Sequence, residues 1–255
     1  MRIGIDARLC AYRGGGIPEH VRRLVAGLRR LDPPEEIFVL AHRRGAAGDF
    51  PGPARRLVTP PHHRFEGWLL PAELATCGLG LLHATDMVVP FAWRRPAVVT
   101  VHDLAFMARP DLVTPESARY YSGVKQSVRR ARLIITVSKH TADQVLVHTA
   151  ADPARIRVIP NAVAATFFEA PRPGEDRAVL RRHDLAGRDY CLFVGTIEPR
   201  KNLTTLLDAW LDVRHRAPAL TLALAGSEGW LSGAVHEGAR WRRGSSWCGN
   251  PRAAV

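Results

Sequence analysis

Short apolar, β-branched runs alternate with segments of helical period along the sequence, and this predicts an α/β fold. Two further observations define it. Several runs are apolar on successive residues, as in strands covered on both faces, which gives a Rossmann-like parallel sheet with helices on both faces. Near residue 170 a polar, proline-rich stretch, Glu169-Ala170-Pro171-Arg172-Pro173-Gly174-Glu175-Asp176, interrupts the alternation. A new strand–loop–helix unit follows it, the start of a second Rossmann-like domain.

In chain order, strands are expected over 3–6, 37–41, 79–83, 97–101, 133–137 and 155–159. The first is followed by Gly14-Gly15-Gly16-Ile17-Pro18 and a helix over 19–31. Thr114 as N-cap, Pro115 at the first helical position and Glu116 in the first turn open a helix that runs to about 130. Ser138 caps the next helix, through about 148, directly after the 133–137 strand. The domain boundaries are therefore 1–170 for the first domain, 171–188 for a linker and 189–230 for the start of the second. There 190–194 reads as a strand and 202–216 as a helix, with Leu203, Leu206, Leu207, Trp210 and Leu211 forming one apolar stripe. Pro218 ends that helix before a strand over 220–225. From about 231 Gly, Arg, Trp and Ser dominate and no period survives to Val255, so 231–255 reads as an aberrant or disordered tail, the kind that out-of-frame GC-rich DNA encodes.

With 46% apolar residues in 255, the chain can bury a core. No apolar run nears the roughly 20 residues of a membrane-spanning helix. Asp6 falls where a signal peptide would stay apolar, and the expectation is a cytoplasmic protein. The net charge of +12 attracts phosphates, nucleic acid or an anionic membrane surface. Only Lys125, Lys139 and Lys201 are lysines, however, and an arginine excess of this kind follows from GC-rich coding. No basic run interleaved with aromatics supports nucleic-acid binding. Peripheral contact with an anionic inner membrane face stays compatible with the charge. The four cysteines, Cys10, Cys77, Cys191 and Cys248, form no CxxC pair and read as buried free thiols, and no histidine spacing suggests a metal.

Four clusters carry candidate chemistry, all at strand ends or in the loops after them, where open α/β sheets bind ligands. Gly14-Gly15-Gly16 lets the backbone approach a phosphate at a helix N-terminus, although a plain turn explains such a loop equally well. His102 and Asp103 follow the 97–101 strand and can contact a polar substrate or shuttle a proton; a structural histidine is the competing reading. Arg200 and Lys201, at the N-terminus of the 202–216 helix, add positive charge suited to a diphosphate leaving group, against plain surface charge. Asn161 lies where the first domain meets the linker. The tight turn into the Ser138 helix aims backbone N–H groups into the same cleft.

Taken in order, Gly15-Gly16-Ile17-Pro18, Val101-His102-Asp103-Leu104, Ile135-Thr136-Val137-Ser138, Val158-Ile159-Pro160-Asn161 and Gly195-Thr196-Ile197-Glu198-Pro199-Arg200-Lys201-Asn202-Leu203 resemble blocks of the retaining glycosyltransferases of family 4, of GT-B architecture. The resemblance covers about residues 1–230. It implies a nucleotide-sugar donor bound between two Rossmann-like domains, with the first chiefly holding a glycan or lipid-linked acceptor. By the same resemblance Gly15, Gly16 and Asn161 lie on the donor side and His102 beside the transferred sugar as the catalytic residue. Arg200 and Lys201 neutralise the pyrophosphate, and Asp103 and Ser138 line the cleft. The nucleotide-sugar is a co-substrate, so no cofactor and no metal are implied. The Glu198-Pro199-Arg200-Lys201-Asn202 form resembles members that transfer a hexose such as mannose in cell-envelope polysaccharide synthesis.

Two departures stand out. Thr196 occupies the place where many members carry arginine, and the family's paired glutamates, eight residues apart, have no counterpart before Val255. The donor site is accordingly expected to be incomplete in this chain, and a non-catalytic acceptor-binding fragment is the alternative. A dinucleotide-dependent oxidoreductase is disfavoured: Gly14-Gly15-Gly16-Ile17-Pro18-Glu19 lacks the last glycine of G-x-G-x-x-G, and His42-Arg43-Arg44 replaces the acid expected after the second strand.

Overall fold

The computed structural model describes residues 1–12, 14–45, 49–109, 111, 113–170, 174–227, 229 and 245–247. These fall into two units, Met1–Ala162 and Val163–Val255. The first is built from β1 (Arg2–Asp6), α1 (Gly16–Arg30), β2 (Glu36–His42), β3 (Ala54–Leu57), α2 (Glu66–Leu74), β4 (Leu81–Ala84), β5 (Ala97–Val101), α3 (Ala105–Ala108), α4 (Pro115–Tyr121), α5 (Val124–Arg130), β6 (Leu133–Thr136), α6 (Lys139–His148) and β7 (Ile156–Val158). The strands pair in parallel in the order β3-β2-β1-β4-β5-β6-β7. The chain winds outward in one direction from β1 and in the other from β4. The switch point, where such sheets hold ligands beyond their carboxyl ends, therefore lies between those two strands.

The successive apolar residues that marked the strands are buried on both sides of the sheet. On β2 the neighbours Val39 and Leu40 point to opposite faces, and each belongs to a separate core. One core gathers Val21 and Val25 of α1 with Ile5, Ile37 and Val39. The other gathers Leu40, Leu70 and Leu74 of α2, Leu82, Val99, Val124, Val128, Ile134 and Val145.

The structure differs from the sequence reading at definable places. β3, Ala54-Arg55-Arg56-Leu57, is an edge strand with three exposed residues and so lacks the apolar run that marks the others. The helix expected over 115–130 is two helices, because the α-helical ladder lapses at Gly123, a poor helix former, whose N–H donates to the Tyr120 carbonyl three residues back. Thr114 does cap α4, accepting from the Ser117 N–H at 3.2 Å. α1 starts at Gly16, three residues earlier than expected. Pro18 fits within its first turn, where an N–H has no intrahelical partner. α2 also contains a proline, Pro71. A residue there would normally donate to the Gly67 carbonyl, four positions back; Pro71 has no N–H, and that carbonyl accepts from Ala92 at 2.8 Å instead.

The second unit comprises α7 (Glu175–Arg182), β8 (Tyr190–Val194), α8 (Leu203–Arg216), β9 (Thr221–Ala225) and β10 (Ser245–Trp247). β9 is flanked in parallel by β8 and β10. α7 falls inside the stretch read as a linker. β10 falls inside the stretch read as lacking any period; backbone pairing needs no apolar pattern. The rest of 231–255 lies outside the described residues. The α8 stripe behaves as expected, with Leu203, Leu207 and Trp210 packed on Ile197, Leu222 and Leu224. β8 is otherwise. Leu192 is 53% and Val194 73% exposed, and Cys191 is exposed rather than buried, whereas Cys10 and Cys77 are buried thiols as expected. Cys248 lies outside the described residues. Because α7 buries none of its residues and β8 is largely uncovered, brief trypsin digestion is expected to cut first within 174–188 and leave a resistant fragment beginning at Met1. Mass spectrometry of the digest checks this; equal resistance of both units would refute it.

Candidate functional site

The carboxyl ends of β1 and β4 carry the glycine loop on one side and Thr85-Asp86 on the other. Gly15 caps α1 with φ +120°, a backbone conformation that side chains disfavour. A Cβ on Gly14, Gly15 or Gly16 would meet nothing within 4 Å, so this loop is glycine by conformation and openness rather than by crowding. It leaves the first N–H groups of α1, and the positive end of its dipole, facing open space.

One turn into α1 stands His20, which the sequence reading passed over. Its Nδ1 pairs with Asn161 Oδ1 at 2.9 Å, and its ring meets His102 edge to face at 5.0 Å between centroids. His102 is itself oriented: Nε2 lies 2.9 Å from the Thr85 carbonyl, which can only accept, so Nε2 donates in this bond. The His102 carbonyl accepts from Thr141 Oγ1 at 3.3 Å, and the Thr141 N–H donates to the α6 cap Ser138 at 3.0 Å. Beneath them His83 is buried, its Nε2 2.7 Å from Thr100 Oγ1. Burial, and then the proximity of His20 and His102, push His83 down to about 4. Burial and His102 likewise lower His20. The Nε2 of His20 is buried and has no hydrogen-bond partner among the described residues. Three imidazoles thus converge near the glycine loop, and two of them are held toward the neutral form. Among the described residues no group of three or more His, Cys, Asp or Glu is placed to hold a metal ion.

Of the residues nominated from sequence, the structure links His102, Asn161 and Ser138 through His20 and Thr141, and sets Gly15 and Gly16 at the head of the helix that carries His20. Asp103 is exposed and accepts the Ala105 N–H at 3.1 Å at the start of α3. Arg200 and Lys201 belong to the second unit. Arg200 Nη2 donates to Glu198 Oε1 at 2.6 Å, and that carboxylate is 3% exposed. Lys201 is exposed, in the turn before α8. The loop packs closely: the Ile197 N–H reaches the Ser227 carbonyl at 3.0 Å, and a Cβ on Gly226 would collide with the Gly195 carbonyl.

A second polar centre, also missed from sequence, adjoins β1. Arg8 is 1% exposed. It forms two bonds to Asp6, at 3.0 and 2.7 Å, one to the Thr59 carbonyl at 3.1 Å and a short one to Glu66 Oε1. Glu66 Oε2 accepts the His62 N–H at 2.7 Å, and His62 Nε2 meets Asp86 Oδ2 at 2.6 Å while its ring stacks on Tyr120. A side chain of arginine type reads as surface in sequence; only its position two residues after a buried strand hinted at this role.

Comparison with known proteins bears on the family and the fold. The sequence profile of glycosyltransferase family 4 matches residues 14–167, more than half of the chain. An O-antigen chain mannosyltransferase B of Escherichia coli is 32% identical over 59% of this chain and 39% of its own length. An alpha-maltose-1-phosphate synthase of Mycolicibacterium smegmatis is 30% identical over 92% of this chain and 64% of its own. The chain thus spans less than two thirds of these relatives. Among solved structures, Anabaena Alr3699/HepE in complex with UDP and glucose superposes with a TM-score of 0.71 at 16% identity, over 98% of this chain and 69% of that one. WaaG, a glycosyltransferase involved in lipopolysaccharide biosynthesis, gives 0.68 at 12%, over 98% and 70%. At these identities the likeness is one of fold. With the profile match spanning the glycine loop, His102 and Asn161, the chain belongs to glycosyltransferase family 4.

Proposed function

We propose that this polypeptide serves transfer of a hexose, mannose among the candidates, from a nucleotide-sugar to a glycan or lipid-linked acceptor in cell-envelope polysaccharide synthesis. The observation that carries the reading is His102, oriented by the Thr85 carbonyl beside an open glycine loop at the switch point of a family 4 sheet. An imidazole held there presents a polar edge to a sugar hydroxyl, and the N-terminus of α1 attracts a phosphate. Arg200 and Lys201 supply cationic charge for a diphosphate, with Arg200 held by Glu198. Mannose is favoured by the O-antigen mannosyltransferase relative, and nucleotide-sugar use by the neighbour solved with UDP-glucose.

The test is release of nucleoside diphosphate from GDP-mannose, UDP-glucose and UDP-N-acetylglucosamine, with and without mannose-containing acceptor glycans. Release dependent on one donor, and lost in His102→Ala, is expected. Acceptor binding with no turnover of any donor would instead assign the chain the role of an acceptor-binding fragment.

A further inference from the structure

His20 stands on α1 beside the apolar stripe rather than in it. Val21 and Val25 carry the packing of the helix, with Ile17, Leu24 and Leu28 against the same core. The two nitrogens of the His20 ring meet different surroundings. Nδ1 pairs with exposed Asn161 at 2.9 Å, whereas Nε2 is covered and has no hydrogen-bond partner among the described residues. Covering a ring nitrogen without a partner costs stability, and a phenylalanine here would pack as well without that cost. Burial and the nearby His102 hold the ring toward its neutral form, so it brings no ion pair either. Packing alone therefore gives no reason for a histidine at position 20.

The reason lies in what the ring touches. His102 is held at two points: Nε2 donates to the Thr85 carbonyl at 2.9 Å, and its own carbonyl accepts from Thr141 Oγ1 at 3.3 Å. A single hydrogen bond fixes one ring atom and leaves the imidazole plane free to tilt about it. The His20 ring stands at 84° to that plane, with 5.0 Å between centroids, and blocks the tilt on its side. Such a block is only as firm as the ring that makes it. The bond from Nδ1 to Asn161 holds that ring, and an apolar ring could fill the space but could not be clamped in this way.

We propose that His20, clamped by Asn161, is a positioning residue that holds the His102 imidazole in its reactive orientation. The proposal rests on the reading of His102 as the residue beside the transferred sugar. Two measurements on the whole chain test it. In the first, NMR of the 15N-labelled rings above the histidine titration range follows His102, its signals identified by their loss in His102→Gln. The parent should show two well-separated ring nitrogens. In His20→Phe and in Asn161→Leu they should move toward each other, as the ring samples more than one orientation. In the second, nucleoside diphosphate release should fall in both variants on the order of tenfold in kcat, with the donor KM within about threefold of the parent. That is the pattern of lost orientation rather than lost binding. His20→Phe/Asn161→Leu should be no slower than the worse single variant, because the two residues act as one clamp. His102 nitrogens that do not move in His20→Phe overturn the proposal, as do additive losses or a loss confined to KM. A lowered urea midpoint with unmoved His102 signals would give His20 a structural role alone and overturn it as well. A parent that turns over no donor refutes the transfer reading; the NMR arm then decides by itself whether His20 positions His102.

Discussion

Replacing Arg8 with methionine is expected to lower the free energy of unfolding by about 3–5 kcal/mol, the usual cost of removing one partner from a buried ionic cluster. The guanidinium, itself almost fully buried, answers two carboxylates and a carbonyl. Methionine fills a similar volume but leaves Asp6 and Glu66 facing each other without a cation. Burial already pushes the Glu66 carboxyl upward against the pull of Arg8, and without Arg8 it would rise further. A carboxyl with a raised folded-state pKa is stabilised by protonation, so the deficit should be smaller at pH 5 than at pH 8. Adding Glu66→Met should return part of the loss, since an apolar pair is cheaper to bury than an unpaired charge. Urea denaturation of the three proteins at the two pH values measures this. A loss below about 1 kcal/mol in Arg8→Met, the scale of an exposed ion pair, would show that the cluster is wet rather than buried.

The second large effect is acid lability from the histidine cluster. His83 is held near pH 4 by burial and by His20 and His102, with Asp6 opposing, whereas an unfolded histidine titrates near 6.5. Between those values the unfolded chain binds a proton that the folded chain refuses, so stability falls as the pH is lowered through this window. The contribution is complete above about pH 6.5, and its loss approaches the order of 3 kcal/mol once the pH nears 4. His20, shifted in the same direction, adds to it. His83→Gln, which keeps a hydrogen-bonding group beside Thr100, should be less stable-to-pH-dependent than the parent over this range. Carboxylates titrating nearby affect both proteins alike, and the difference between the two profiles isolates His83. Parallel profiles would refute the assignment.

Legibility in sequence followed apolar patterning. Ala97–Val101 and Tyr190–Val194 appear in the structure with the bounds their patterns give, because each is a β-branched or apolar run, with Thr100 the one aliphatic hydroxyl, ended by proline, polar or glycine residues. β3 was illegible because an edge strand rich in arginine pairs through its backbone alone. α2 escaped because a helix apolar on both its faces shows no 3.6-residue contrast. In the candidate site, His102 was marked in sequence by its place at the end of β5. His20 was not: in sequence it is one polar residue in an amphipathic helix, and its role arises only where α1 passes Asn161, 141 residues later. The signal that could have found it was its distance from the glycine loop, one helical turn. Arg8 was hidden by the opposite error, since arginine is expected at the surface and this one is among the most buried side chains.

Pro71 ties together parts of the chain that sequence separates. Because it withholds a single hydrogen, the Gly67 carbonyl is left for Ala92, and Phe91 is set against Trp68. In evolutionary terms, position 71 and the loop at 90–92 form one unit of inheritance. Restoring an N–H at 71 gives the loop a competitor for its anchor, and freeing the loop removes the reason for a proline in a helix. The two sites should therefore drift together through descent, and the Trp68–Phe91 contact with them, as a block.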